Sequence, residues 1–383
     1  MEQSAPVPKV FVRTLHAPVL PPPPLVHGPL AWLRANLFSG PLSTLATLGF
    51  AALVAWLLPG LIRYLLVDAI WSAPDGAVCR EPGAGACWAY VTQKFSYFMY
   101  ASYPRESVWR IDLALAAGAL LATWLLWPRA PRQGLAALLF FVAYPPLAFV
   151  LLHGWEGAGL ATVATDMWGG VFVSLLVSTV GIVVSLPGGI LLALGRRSRL
   201  PVVRFFCVVF IECVRGVPLI SVLFMANFML PLFVPANLTP DRLLRPLIGI
   251  ALFASAYMAE VIRGGLQALP KGQYEGAMAI GLSYGQMMRL VVLPQALAIV
   301  IPGIVNTFIG LFKDTTLVAV VGISDFLRTV DTARLDPAWA GPTISTTGYI
   351  FAAAFYFVFC FGMSRYSAMV ERNLSTDGKH REP

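Results

Sequence analysis

The sequence predicts an all-α polytopic membrane protein with about eight transmembrane helices. The first observation is composition: 58% of the 383 residues are hydrophobic and only 12% are charged. A soluble domain carries about 45–50% apolar and about 25% charged residues, so a water-soluble enzyme of this length would lack the charge to cover its surface. The same apolar content excludes a disordered chain. The second observation is pattern. The apolar residues form long unbroken runs rather than alternating, and a bilayer admits only helices or closed barrels, so helices follow. The third is the net charge of +8, which the loops distribute as a membrane protein with a basic cytoplasmic side would.

Residues 1–41 read as a Pro-rich cytoplasmic tail, in which Pro21–Pro24 should be an extended, solvated spacer. No basic start followed by an apolar core marks a secretory signal. Spans are expected near 42–66, 111–127, 134–152, 168–195, 207–234, 246–262, 294–312 and 345–364. The first lacks Asp, Glu, Lys and Arg from Ala35 to Ile62, and the fourth from Met167 to Gly195. Eight spans put both termini on one side. With that side as cytoplasm, the inner loops and tails hold 16 Lys and Arg against five acids, and the outer loops nine against eleven. Arg196, Arg197, Arg199 and Arg204 crowd one short inner loop. Trp71, Trp88, Trp127, Trp155, Trp168 and Trp339 sit near span ends, where interfacial rings belong. The longest outer loop, 67–110, holds Cys79 and Cys87, which in an oxidising compartment either pair or remain free surface thiols. Cys207, Cys213 and Cys360 lie in apolar runs and read as inert buried thiols.

The loop between the sixth and seventh spans is not an ordinary connector. It reads Gly272-Gln-Tyr-Glu275-Gly276-Ala277-Met278-Ala-Ile-Gly281-Leu282, and ends in Val291-Val292-Leu293-Pro294. Tyr274, Ala277, Met278 and Leu282 recur at helical spacing and make a narrow apolar face. Glu275 is placed early in the helix, where a carboxylate suits the dipole. Gly276, Gly281 and Gly285 each cost about 1 kcal/mol relative to Ala in a helix interior. Two short helices hinged near Gly281 and stabilised by docking therefore fit better than one free-standing helix. Met287 and Met288 offer adaptable packing on the second arm, and Pro294 suits the first turn of the next span. A helix lying on the membrane surface would want several Lys or Arg on its polar face, and only Arg289 is available.

This loop resembles the coupling loop of permease subunits in ATP-binding-cassette (ABC) importers, with Gly276 where that family has Ala. Further motifs resemble polar amino acid permeases: Glu212-Cys-Val-Arg215-Gly216-Val-Pro218, Tyr257-Met-Ala-Glu260-Val-Ile-Arg263-Gly264-Gly265, Gly272-Gln273, and Asn306 followed by Lys313-Asp314-Thr315. With three extra spans in 42–167, the chain is similar to the M-type permease subunit of general L-amino-acid importers, in the histidine/glutamine permease-like family. The resemblance implies a type I ABC importer permease core over 168–370, with coupling loop 271–294 and a cytoplasmic tail at 371–383. It implies a subunit that forms the pathway for L-amino acids across the bacterial inner membrane and is not itself an enzyme. Tyr274, Glu275, Gly276, Ala277, Met278, Gly281 and Leu282 would then meet a cytosolic ATPase dimer. A second, homologous permease and a periplasmic solute-binding protein would complete the assembly, with no cofactor and no nucleic acid.

Charges inside spans are costly, so they want partners. Glu212 and Arg215 are three apart and can neutralise each other, as can Glu260 and Arg263; either pair is a pathway element or a structural ion pair. Arg215-Gly-x-Pro218 predicts a break in the fifth span. Asn227, Ser255, Tyr257, Asn306 and Thr307 could line a cavity for a zwitterion or hold helices together. Lys313-Asp314 is either a self-satisfied pair or an outer gate. The sequence carries no Gly-x4-Gly-Lys-Ser/Thr loop, so the motor would be a separate protein. An integral-membrane enzyme is disfavoured because His16, His27, His153 and His380 are scattered and no metal motif is present. A self-contained secondary transporter is the alternative; it calls for inverted repeats and ionisable residues at mid-membrane, which the sequence does not display clearly.

Overall fold

The computed structural model describes residues 28–127, 130–235 and 237–379. The proline run Pro21–Pro24 and His16, His27, Arg129 and His380 lie outside these residues. The chain divides into two compact units, one ending at Val67 and the other starting at Asp68. The first holds α1 (Pro29–Asn36) and α2 (Pro41–Ile62), which runs on through a π-helical turn at Arg63–Val67. Pro41 opens α2, where a missing N–H costs nothing, and Gly40 N donates to Ser43 Oγ (3.0 Å). The resulting 27-residue apolar rod is long enough to span a bilayer.

The second unit starts with a segment containing α3 (Trp88–Tyr100), followed by α4 (Val108–Leu126); the bundle end that carries α3 is labelled outer and the opposite end inner, as labels of position only. The next span is α5 (Gln133–Leu138) joined to α6 (Tyr144–His153) through a π-helical turn. Next come α7 (Gly170–Arg196), α8 (Pro201–Arg215), α9 (Leu219–Phe224), α10 (Leu230–Phe233) and α11 (Leu244–Ala268). Two short inner helices follow, α12 (Lys271–Ala279) and α13 (Tyr284–Met287). The chain closes with α14 (Leu293–Ile299), α15 (Ile301–Asp314), the outer α16 (Phe326–Ala333) and α17 (Pro342–Lys379). Among the described residues seven helices are long and apolar enough to cross a membrane, or eight if the bent pair α8 and α9–α10 counts as one span. That pair is bent by 107° at Gly216–Pro218, where the sequence predicted a break. Pro218 cannot donate a helical bond and disfavours helix in the residue before it, so the chain turns there.

Helices α7 and α11 form the spine. They approach closely because α7 presents Gly188 and Gly189: a Cβ on Gly189 would fall 2.6 Å from Met258 Cγ and 3.0 Å from the Ala259 nitrogen. Around this spine sit three apolar clusters. One joins α4, α7 and α11 through Ile111, Phe172, Val177 and Ile250. An outer one joins α3, α16 and α17 through Tyr90, Phe98, Phe326 and Ile344. An inner one joins α7, α8, α11 and the α12–α14 segment through Ile211, Met258, Leu266 and Val292.

The outer segment departs from the expected polar loop. Cys79 and Cys87 are disulfide-bonded and fully buried, with Cα atoms 5.8 Å apart. The α3 helix is anchored by Tyr90 and Phe98, which pack on Trp339, Phe326 and Phe351. It takes part in an outer layer rather than projecting into solvent. The three free cysteines are not buried as expected: Cys207 and Cys360 are half-buried and Cys213 is exposed on the spans that carry them.

Candidate functional site

The expected coupling loop is two short helices, as the glycine spacing predicted. Helix α12 ends at Ala279, and Gly281 takes φ +79°. Leu282 N donates to Ala277 O (3.2 Å) and Gly281 N to Met278 O (3.0 Å). This is a Schellman closure, which favours glycine at the left-handed position. Ser283 then caps α13, its N–H donating to Gln286 Oε1 (2.9 Å) and its Oγ accepting from Gln286 N.

The faces of the loop differ from the sequence expectation. Ala277 is buried, Leu282 is half-buried, and Tyr274 turns inward, its hydroxyl donating to Leu266 O (3.0 Å). Met287 and Met288 are buried in the inner cluster rather than free for a partner. The outward residues are Glu275, Gly276, Met278, Ile280 and Tyr284, with Ile280 75% exposed, Tyr284 60% and Met278 57%. Glu275 is the fifth residue of α12, so the helix N-terminus contributes little to its placement. A groove of about 420 Å³, lined in part by Arg197, Lys271, Tyr274, Glu275 and Met278, opens beside α12.

The ionisable residues of the fifth and sixth spans meet at the same end of the bundle, and only one of the two predicted pairs forms. Glu212 does not bond Arg215. Its carboxylate accepts from Arg196 Nη1 (2.8 Å), and the same nitrogen reaches Glu260 Oε1 (3.0 Å). Glu260 also accepts from Arg263 Nη2 (2.7 Å), the local pair that was expected, and lies 3.7 Å from Arg215 Nη1. The Arg215 guanidinium sits 5.4 Å from the centroid of the Tyr257 ring. One carboxylate thus gathers three arginines from α7, α8 and α11. The ends of three helices share one network because that distributes the desolvation cost of each charge.

The remaining polar candidates do not join this cluster. Asn227 is buried in a π-helical turn and donates to Val321 O (3.1 Å), so it ties the second arm of the bent pair to the outer end of the α15 span. Ser255 and Thr307 donate to carbonyls of their own helices, Ala251 O (2.7 Å) and Gly303 O (2.9 Å). Asn306 is exposed on α15. Among the described residues no salt bridge joins Lys313 to Asp314.

Two residues at the centre of this arrangement were read from sequence only as topology signals. Arg196 bridges Glu212 and Glu260, and Arg197 donates to Leu266 O (3.3 Å) and to Tyr274 Oη (3.2 Å) while stacking on the Tyr274 ring. Their position at the end of a charge-free span was the available clue, but the partners are 16 to 77 residues away.

Residues 185–376 match the family of binding-protein-dependent transport system inner membrane components. The inner membrane amino-acid ABC transporter permease protein YhdY of Escherichia coli is 47% identical over 359 residues, 93% of this chain and 96% of that protein. The glutamate/glutamine/aspartate/asparagine transport system permease protein BztC of Rhodobacter capsulatus is 40% identical over 431 residues, 96% of this chain and 98% of that protein. A solved amino acid ABC transporter aligns with 53% of this chain and 92% of its own at 28% identity, with a TM-score of 0.47. The loop at 271–294 lies inside the matched range, and both relatives align with more than nine-tenths of this chain. The chain is a member of the family of binding-protein-dependent transport system inner membrane components.

Proposed function

We propose that this chain is the permease subunit of an ABC importer and forms the pathway for L-amino acids across the bacterial inner membrane, driven by a separate ATPase. The amino-acid ABC permeases that match almost its whole length support this reading over a self-contained secondary transporter. Membership of the family implies an ATPase and a solute-binding protein as partners. A second, homologous permease is proposed as the fourth component.

One observation carries the coupling assignment: a fixed elbow with an unpartnered outer face. Ala277, Met287 and Met288 lock α12–α13 into the inner cluster, while Met278, Ile280 and Tyr284 project from it beside Glu275. Apolar side chains held rigidly outward at an inner loop fit a protein groove, where burial returns about 1.5–3 kcal/mol for each large side chain. In this reading residues 1–41 and 371–383 are cytoplasmic tails, 42–167 adds three helices, and 168–370 is the importer core. Nucleotide-driven closure of the ATPase would move two such elbows together and shift the permeases between inward and outward states, a change that needs different contacts in each state.

Glu275→Arg and Ile280→Glu test the assignment by co-purification with the ATPase and by uptake in proteoliposomes. Loss of the ATPase from a folded permease, with uptake falling about tenfold or more, is the expected result. Uptake that continues with no ATPase present overturns it.

A further inference from the structure

We infer that Arg196 and Arg197 act as positioning residues, a junction that carries movement of α12 into the bend at Gly216–Pro218; this rests on the coupling role proposed above. The two neighbouring guanidinium groups hold different elements. Arg197 grips α12. Its Nη1 donates to Tyr274 Oη (3.2 Å) and to Leu266 O (3.3 Å), and Tyr274 itself donates to Leu266 O (3.0 Å). These three groups close a triangle, so α12 cannot roll against α11 without dragging the end of α7. The flat guanidinium also lies 5.6 Å from the Tyr274 ring centroid, a contact that Lys reproduces poorly.

Arg196 grips the other two helices. Its Nη1 lies 2.8 Å from Glu212 on α8 and 3.0 Å from Glu260 on α11. Glu212 stands one turn before Arg215, the last residue of α8, and Arg215 returns to Glu260. Beyond it the chain turns by 107° into α9. A displacement of α12 thus passes through Tyr274 and Arg197 to the end of α7, then through Arg196 to the last turn before the bend. The bend is the element best able to take two geometries, since Gly216 and Pro218 leave no continuous helix across it. Arg215 Nε is buried with no hydrogen-bond partner, which leaves this arginine a donor to offer in a second arrangement.

The test uses the assembled transporter with its ATPase and binding protein in proteoliposomes, measuring uptake of mixed radiolabelled L-amino acids and ATP hydrolysis together. Arg197→Ala and Arg196→Gln are expected to keep the ATPase bound and hydrolysing within about twofold of the parent, while uptake per ATP falls about tenfold. Arg196→Lys, which retains a charge between the two carboxylates, is expected to recover most of that ratio. A purely structural role predicts that hydrolysis, uptake and thermal stability fall together with the ratio unchanged, and that outcome overturns the junction. Failure of the parent chain to bind any ATPase would instead refute the coupling reading on which it rests.

Discussion

Asp325 caps the outer helix α16 from a fully buried position, its carboxylate accepting from Arg328 N and Leu327 N at 3.1 Å each. Burial pushes its pKa from 3.8 up to about 7, against the lowering effect of those two backbone bonds. A carboxyl with a raised folded pKa contributes stability that is complete below its unfolded value and is lost as pH rises through the folded one. The outer layer should therefore melt at a lower temperature at about pH 8 than at about pH 5, with a difference of about 3 kcal/mol at most. Asp336 does not act in this window. The neighbouring Lys94 ammonium holds it below the usual carboxylate range, so its contribution disappears only as pH falls further. Asp325→Asn keeps a capping oxygen and removes the titration. Melting curves of that variant at the two pH values should coincide; an undiminished pH slope would show that another group is responsible.

At the scale of elements, the inner half of the bundle was legible and the outer layer was not. Spans were visible because a charge-free run of about 20 residues has one cheap solution in lipid. The hinge at Gly281 was visible because glycine spacing is a local signal. Helix α3 was not: its 13 residues mix Lys94, Gln93 and Thr92 with six aromatic rings, too short and too polar for a span. What holds it is distant. Arg80 donates to Ala340 O (2.7 Å) and Pro337 O (2.9 Å), Gly76 N donates to Ala338 O (3.0 Å), and Cys87 N donates to Thr347 Oγ1 (3.0 Å). Gly76 is required there, since a Cβ would fall 2.7 Å from Ala338 O. The segment 68–107 is thus a clamp on the turn that joins the spans of α15 and α17. Removing the short disulfide loop with Cys79→Ser and Cys87→Ser should cost about 2–3 kcal/mol. Arg80→Ala should cost about 1–3 kcal/mol by stripping its bonds from the 337–340 turn. Limited proteolysis should then cut 68–107 first. Equal protease resistance in parent and variants would mean that the clamp holds nothing.

For the whole molecule the open quantity is which end faces the cytoplasm, and it follows from charge rather than from packing. The end formed by α12, α13 and the termini of α7 and α8 carries Arg196, Arg197, Arg199, Arg204, Lys271 and Arg289. The opposite end carries Asp241, Asp325, Asp331 and Asp336 and the buried disulfide, which persists in an oxidising compartment and not in a reducing one. Both facts favour the α12 end as the inner one, since basic loops resist translocation. Single cysteines in a background lacking Cys207, Cys213 and Cys360 resolve the matter with a membrane-impermeant maleimide. Leu335→Cys, 68% exposed on the outer turn, should label in intact spheroplasts, and the exposed Ala279→Cys should label only after permeabilisation. The reverse pattern would put the elbow on the wrong side of the membrane for any ATP-driven partner, and with it the junction at Arg196 and Arg197 would have nothing to transmit.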